Sequence, residues 1–315
     1  MKIIVTIDTE ADDQWKKDVP LSISNVFALD RFQLLCEKHH IIPTYLITYE
    51  VASEPKAAAQ FRAWHDAGRA EIGSHLHPWT TPPLNLADHA THTFPSELPD
   101  NALREKFQTL TQTVADVIGE RPTSYRAGRW GFDMRQADLL QEFGYSIDLS
   151  ITPKISWSRV SGRSGDHNGP DFRGESIHPR MLNERVLEVP MTVLNTGLFR
   201  REGKVSSWFA HLSDSFFAKV LNRLLFRRKW LRIFEDTTRK DWGQILDSAQ
   251  ANKLSVIVFM IHSSELVSGK SPYVPTEAAL EHVYEMLEDL FVLCTERGIE
   301  GIAASGFARG IKLQN

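Results

Sequence analysis

Short apolar runs and longer amphipathic stretches alternate along most of the 315-residue chain. Apolar runs of about four to eight residues are typical of buried strands, and apolar positions every three to four residues are typical of helices facing a sheet. The runs predict strands at 1–7, 41–47, 70–72, 123–126, 145–148, 185–189, 254–261 and 301–303. The amphipathic stretches predict helices at 25–38, 55–67, 101–118, 134–143, 213–230, 241–251 and 276–297. This alternation favours a parallel α/β architecture.

One long segment, 153–184, has no regular pattern and is rich in glycine, serine, proline and arginine. A segment of this length without periodicity is typical of a functional loop or a linker. No internal repeat or linker divides the chain, so we expect a single domain spanning 1–315, with 153–184 as a loop over its cleft. Asp171 of this loop is a candidate substrate contact, although the run Gly-Pro-Asp is equally typical of a plain turn.

Composition and charge exclude several classes of partner. The formal net charge is −4 and the pI is about 6.3, so we expect no global attraction to nucleic acid or an anionic membrane, and any contact with a polyanion would be local. The longest apolar run, 254–261, is far shorter than the roughly 20 residues of a membrane span. We therefore expect a cytoplasmic protein. Cys36 and Cys294 are far apart in apolar patterns, and we expect buried free thiols rather than a disulfide.

Two histidines, His75 and His77, stand at i and i+2 of a segment that continues the third predicted strand. Alternate side chains of a strand project from the same face, so the two imidazoles need only a carboxylate to form a divalent metal site. An isolated His-x-His pair is weak evidence for a metal. The evidence for a metal site is stronger because acidic residues follow the first predicted strand, at the same edge of a parallel sheet. These are Asp8, Glu10, Asp12 and Asp13.

Five ordered segments resemble the motifs of the polysaccharide deacetylase family (NodB-homology, carbohydrate esterase 4). They span almost the whole chain: 6–10 (TIDTE), 71–78 (EIGSHLHP), 125–131 (YRAGRWG), 148–153 and 260–264 (MIHSS). The resemblance implies a distorted (β/α) barrel of the NodB-homology type with about seven parallel strands. It also implies a metal-dependent hydrolase that removes an N-acetyl group from an amino sugar of a surface polysaccharide or its precursor.

The resemblance also implies a role for each motif residue. Asp8 would be the general base, held in place by Arg126, and His262 the acid that protonates the leaving nitrogen, with Asp148 orienting it. Glu10, His75 and His77 would bind a divalent metal ion, with zinc as the first expectation because imidazole and carboxylate ligands suit it. Trp79 and Trp130 are candidate walls for a sugar ring, and plain core packing is the alternative interpretation.

Two departures from the common family pattern leave the ligand set open. Thr9 stands where most members have a second aspartate, so the carboxylate ligand is Glu10, Asp12 or Asp13. One residue rather than three separates the two histidines. His89 and His92 in the following segment are further candidates, ranked below His75 and His77. The native metal, the sugar and the oligomeric state are not determined by these patterns.

Two other functions remain open at this point. The same scaffold suits hydrolysis of another non-peptide amide, such as a cyclic imide or ureide. It also suits a noncatalytic sugar-binding relative, because a fold can persist after its activity is lost. A basic cluster at 223–229 ends the predicted helix 213–230, and its simplest role is to complement the helix dipole.

Overall fold

The structure is a computed structural model, and it describes residues 1–14, 20–84, 93–160, 169–203 and 225–312. Its strands are β1 (Lys2–Thr9), β2 (Thr44–Ile47), β3 (Glu71–Leu76), β4 (Ser124–Ala127), β5 (Ile147–Asp148), β6 (Arg180–Met181), β7 (Leu187–Glu188), β8 (Val193–Asn195), β9 (Arg228–Trp230), β10 (Val256–His262) and β11 (Glu300–Gly301). The described helices are α1 (Asp30–Lys38), α2 (Tyr49–Ala52), α3 (Pro55–Asp66), α4 (Asp100–Ile118), α5 (Met134–Phe143), α6 (Arg239–Ala251), α7 (Glu277–Glu296) and α8 (Ala304–Lys312).

The main sheet has the order β10-β1-β2-β3-β4-β5-β7-β6, and β11 pairs with the start of β1. Its pairs are parallel along the path from β10 to β7, and only β6 joins in the antiparallel sense. Seven described strands therefore form a parallel series, which confirms the predicted architecture. Strands β8 and β9 form a separate antiparallel pair.

The sheet curls into an incomplete barrel. In a flat sheet β1 and β4 would lie about 14 Å apart, three strand spacings of about 4.8 Å. Arg126 of β4 nevertheless reaches across the interior and donates hydrogen bonds to Asp8 and Thr6 of β1. The gap between β7 and β10 is bridged by Thr192, whose Oγ1 accepts a hydrogen bond of 2.7 Å from the Val258 amide. The curled sheet confirms the distorted (β/α) barrel.

Most of the predicted helices form, as α1, α3, α4, α5, α6 and α7, with buried apolar faces, whereas α2 and α8 were not predicted. The longest helix before the irregular segment is α4, which ends at Gly119 with a φ of +78°, a conformation that glycine adopts without steric cost. Helix α5 ends in the same way at Gly144, with a φ of +92°. The buried core residues of α4 are Leu103, Phe107, Leu110, Val114, Val117 and Ile118.

Three local predictions need correction. The predicted helix 25–38 is divided into a 3₁₀ turn, Ser24–Ala28, and α1. The end of the predicted helix 213–230 is strand β9, because residues 228–230 pair with β8; residues 213–224 lie outside the described residues. In the described parts of the segment 153–184, residues 153–160 and 169–184, the chain is largely irregular, as predicted, but it contains β6 and a bridge between Ser156 and Asp171.

Two further expectations concern cysteines and membranes. Cys36 and Cys294 are both buried free thiols, as predicted. Burial raises the pKa of Cys36 well above its usual value and that of Cys294 to about 12. Across the described ranges, each helix is too short or too polar to cross a bilayer.

Candidate active site

The candidate residues lie where parallel strands end at one edge of the sheet. Asp8 is the penultimate residue of β1 and pairs in register with His262, the last residue of β10. His75 lies at the end of β3 beside Arg126 of β4. Because the carboxyl ends of parallel strands converge in a barrel, residues 254 positions apart in sequence become neighbours.

Glu10, His75 and His77 form a cluster in which one ligand atom from each lies within 4.8 Å of the others. The Glu10 Oε2 atom is 3.7 Å from His75 Nε2 and 3.2 Å from His77 Nε2. Ligand atoms in a tetrahedral zinc site with bonds of about 2.0–2.1 Å lie about 3.3 Å apart. The three side chains are also almost completely buried. Their spacing and chemistry therefore fit a divalent metal ion.

The structure selects Glu10 among the three carboxylates that the sequence left open. The Glu10 amide donates to Ser263 Oγ at 3.2 Å, and Asn25 Nδ2 donates to the Glu10 carbonyl at 2.9 Å. Asp12 instead accepts hydrogen bonds from Ser22, Ser24 and Asn25, and its carboxylate holds the chain after β1. Within the described residues Asp13 is not part of the cluster.

The charges around Glu10 favour its ionised form. Burial raises the pKa of this carboxyl, but the charge of His262 and hydrogen bonds from His75 and His77 outweigh burial and hold the pKa below its usual value. His75 shows the complementary shift: burial lowers its pKa, but the Asp8 and Glu10 carboxylates raise it above the usual value. A buried carboxylate therefore faces two imidazoles, which is the donor set that a zinc ion binds.

Contacts behind the two imidazoles set their orientation. His75 Nδ1 lies 3.0 Å from the Arg126 carbonyl oxygen, and a hydrogen bond there leaves Nε2 directed at Glu10. Trp79 stacks on His77, with ring centroids 4.3 Å apart and planes at 23°. Gly128 provides space for this ring, because a Cβ atom at this position would lie 2.6 Å from His77 Cδ2.

Asp8 is held by Arg126 as the sequence predicted. Arg126 Nη1 donates to Asp8 Oδ1, while Nε donates to the Leu149 carbonyl at 2.9 Å. Asp8 Oδ2 is directed towards the cluster, 3.9 Å from His75 Nε2. Burial raises the pKa of Asp8, but the charges of Arg126, His75 and His262 outweigh burial, so its pKa lies below its usual value. Asp8 is therefore an ionised carboxylate next to the candidate metal site.

His262 is oriented by Glu265 and not by Asp148, which corrects the sequence-based assignment. Its Nδ1 atom is 2.7 Å from Glu265 Oε1, and Arg232 Nη2 donates to the same oxygen at 2.5 Å. Burial raises the pKa of Glu265, but the charges of Arg232 and His262 hold it below its usual value. Glu265 follows His262 by three residues on a 3₁₀ turn, Ser263–Leu266, which brings the two side chains together.

Asp148 has a different position, in a buried acidic pair. It lies opposite Glu188 in the β5–β7 register, and the two carboxyl groups share a hydrogen bond. Burial raises the pKa of both, and the negative charge of Asp148 raises that of Glu188 well above its usual value. Asp148 Oδ1 also accepts a hydrogen bond of 2.6 Å from Ser150. Of the two carboxyl groups, Glu188 therefore has the more strongly raised pKa, and Asp148 contacts Glu188 and Ser150 at the strand ends.

A cleft of about 290 Å³ opens above the cluster. Trp79 and Trp130 line it, as the sequence predicted, and so do Trp157 and Val160 of the irregular segment. Asp171 is not among the lining residues of this cleft, and its carboxylate accepts hydrogen bonds from Arg173; a substrate contact by Asp171 stays a prediction. The other lining residues are Asp8, Glu10, Gln14, His75, His77, Phe94, Ala127, Arg129, Arg232, His262 and Tyr273.

Sequence reasoning missed three of these functional positions. Glu265 was detectable, because His262 and Glu265 have the i, i+3 spacing of neighbours on a helical turn. Arg232 and Trp157 had no comparable signal, since the β8–β9 pair and the irregular segment bring them to the cleft. The further histidine candidates, His89 and His92, lie outside the described residues.

No protein-family profile and no curated protein sequence matches the chain. Solved structures do match. A Mycobacterium smegmatis protein described as a polysaccharide deacetylase is 15% identical, with a TM-score of 0.57, over 99% of this chain and 90% of its own. A Pseudomonas aeruginosa PAO1 protein, also described as a polysaccharide deacetylase, is 11% identical with a TM-score of 0.53, and the match covers 98% of this chain and 89% of that protein. Puue allantoinase is 12% identical with a TM-score of 0.52, and the match covers 98% of this chain and 88% of the allantoinase. The chain therefore has the polysaccharide deacetylase fold.

Proposed function

We propose that this chain is a divalent-metal-dependent hydrolase that removes the N-acetyl group of an amino sugar in a surface polysaccharide or its precursor. The observation that carries the proposal is the Glu10–His75–His77 cluster, which lines one cleft together with the carboxylate of Asp8 and the imidazole of His262. The fold is shared with proteins described as polysaccharide deacetylases. The cleft offers the aromatic faces of Trp79 and Trp130, on which a sugar ring can pack.

Hydrolysis of an amide requires an activated water, a stabilised oxyanion and a proton for the leaving amine. A divalent ion held by Glu10, His75 and His77, with zinc as the proposed metal, would polarise the amide oxygen and lower the pKa of water to about 7. Asp8 is placed to accept the proton of the attacking water through Oδ2, because Arg126 occupies Oδ1. Arg126 also keeps this base ionised and correctly rotated.

His262, beside Asp8 at the ends of β10 and β1, would protonate the leaving nitrogen. Glu265 occupies its Nδ1 atom, so the ring presents Nε2 to the substrate. Arg232 pairs with Glu265 and fixes the position of that carboxylate. General acid catalysis by a positioned imidazole contributes about 10²–10⁴-fold to a rate. The proposed set therefore comprises the base Asp8, the acid His262 and the positioning residues Arg126, Glu265 and Arg232.

The test is acetate release by purified protein after chelation and after return of zinc or cobalt. We expect hydrolysis of at least one N-acetyl sugar by the metal-loaded protein, loss of activity after chelation, and its recovery with the ion. His75→Ala should abolish activity, whereas the exposed control His178→Ala should retain it. Activity that survives both chelation and His75→Ala would refute the metal mechanism. Glycan binding without turnover by the metal-loaded protein would instead identify a sugar-binding protein.

Hydrolysis of a ureide is the second candidate, supported by the match of the fold to Puue allantoinase over 98% of this chain. The same base, acid and metal ligands would suit a small cyclic amide. Allantoin and other ureides in the same panel as the N-acetyl sugars separate the two functions. Ureide turnover with no acetate release from any sugar would establish the second function and contradict the first.

A further inference from the structure

The buried lysine Lys106 lies outside the cleft but contacts the segment that carries a proposed metal ligand. It belongs to α4 and is fully inaccessible to solvent. Its Nζ atom donates hydrogen bonds to the carbonyl oxygens of Pro78, Thr81 and Pro83, at 2.9, 2.8 and 2.8 Å. A buried ammonium is costly unless its three donors are satisfied, and these three carbonyls satisfy them.

The segment that Lys106 holds follows His77 directly. The His77 carbonyl accepts hydrogen bonds from the amides of Thr80 and Thr81, at 3.3 and 3.0 Å, so the chain turns back on the ligand. Trp79 within this turn stacks on the His77 ring. A displacement of the turn would therefore move the ring that faces Glu10.

The sequence explains why this turn requires an external donor. The run 78–83, Pro-Trp-Thr-Thr-Pro-Pro, contains three prolines that lack an amide hydrogen, so the segment cannot pair its carbonyls in a regular ladder. Buried carbonyls without a partner destabilise a fold, and one ammonium with three donors can serve several of them. Lys106 supplies these donors from the second turn of α4. Its neighbours in the helix, Leu103 and Phe107, are buried in the core.

We propose that Lys106 is a positioning residue for the metal site: its ammonium fixes the turn 78–83 and thereby the orientation of His77 towards Glu10. This inference rests on the proposed function, because it assigns Lys106 a role in metal binding. Lys106 is not among the described residues that line the cleft, and its hydrogen bonds to Pro78, Thr81 and Pro83 go to backbone carbonyls. It acts on His77 through the backbone.

Lys106→Met tests the proposal, because methionine retains an unbranched apolar stem but lacks the three donors. The control is Val114→Ala, which removes buried core volume from the same helix eight residues beyond Lys106. Zinc titration of both variants and the wild type should show affinity at least about tenfold weaker in Lys106→Met, the usual effect of losing a ligand-orienting contact. Val114→Ala should bind zinc within about twofold of the wild type. The absorption bands of the cobalt-substituted protein should change in Lys106→Met alone.

Hydrogen exchange provides a readout that does not depend on metal. Exchange at Thr80 and Thr81 of the metal-free protein should be faster in Lys106→Met than in Val114→Ala. In the wild type, zinc should slow exchange at these two amides, a measurement that remains valid if the variant fails to fold. Equal zinc affinity and equal exchange in the two variants would overturn the proposal. A wild type that binds no zinc refutes the proposed function instead, and exchange in the metal-free variants then decides whether Lys106 holds the turn.

Discussion

Gly128 is a residue whose missing side chain shapes the candidate metal site. A Cβ atom there would lie 2.4 Å from the Leu76 carbonyl oxygen and 2.6 Å from His77 Cδ2, both closer than van der Waals contact. Gly128→Ala should therefore displace His77, weaken zinc binding about tenfold or more and lower the free energy of unfolding by about 1–3 kcal/mol. Zinc titration and denaturant unfolding measure the two effects. Gly174→Ala is the control, since a Cβ there meets open space; equal zinc affinity in both variants would contradict the steric argument.

Glu265 is the residue that distinguishes the observed site from the one expected from sequence. Its pKa lies below the usual value, so the carboxylate is ionised at neutral pH and Glu265→Gln removes a charge from His262 Nδ1. We expect kcat to fall by about 10–100-fold, which is part of the rate enhancement that a general acid provides. KM should be nearly unchanged. Steady-state kinetics on the substrate found in the panel measure this. Wild-type kcat in Glu265→Gln would show that His262 needs no partner.

The pairing of strands β5 and β7 brings two buried carboxyl groups together. Asp148 and Glu188 are opposite in the register, and the raised pKa of Glu188 means that it retains its proton in the folded state. A group whose pKa rises on folding stabilises the fold below its unfolded pKa, and this contribution is lost as pH rises through the folded value. The pair therefore opposes folding increasingly as the solution becomes alkaline.

Glu188→Gln isolates this effect. The amide can donate to Asp148 as the protonated carboxyl does, while its oxygen still accepts from the Ile151 amide. Relative to the wild type, the free energy of unfolding of the variant should increase by about 1.4 kcal/mol per pH unit between the unfolded pKa of Glu188, near 4.5, and its folded value. Urea unfolding across that range measures the slope. The free energy of unfolding of the exposed control Glu285→Gln should vary with pH as that of the wild type does. If the free energy of unfolding of Glu188→Gln also varied with pH as in the wild type, Glu188 would be ionised in the folded protein.

The elements that sequence predicted are those with a local signal. Strand β10 is a continuous apolar run, and α4 has a helical period closed by a glycine, so each could be located without knowledge of its neighbours. Strand β9 could not, because a basic run becomes a strand only when β8 pairs with it. The short strand β6 depends on its partner in the same way.

The same limit on prediction from sequence applies to the candidate site, which is assembled from residues far apart in the chain. Parallel strands must end at a common edge, and this rule predicted that the acidic residues after β1 lie near His75 and His77. It does not specify which carboxylate reaches which imidazole, since that depends on side-chain rotation and on short turns. The family resemblance added His262 and assigned Asp148 to it, whereas the turn after β10 provides Glu265 instead.

Metal binding should stabilise the entire fold, because the ligands join the end of β1 to the end of β3 at the carboxyl-terminal edge of the sheet. A ligand that binds only the folded state adds RT ln(1 + [L]/Kd), about 2.7 kcal/mol at a concentration of 100 Kd. We expect zinc to raise the melting temperature of the chelated protein by about 1.5 °C per kcal/mol, because an unfolding entropy of about 2.1 cal/mol/K per residue applies to 315 residues. Magnesium should have much less effect, because it prefers oxygen ligands. His75→Ala should abolish the zinc shift and the exposed control His178→Ala should retain it, whereas equal shifts in both variants would mean that zinc binds elsewhere.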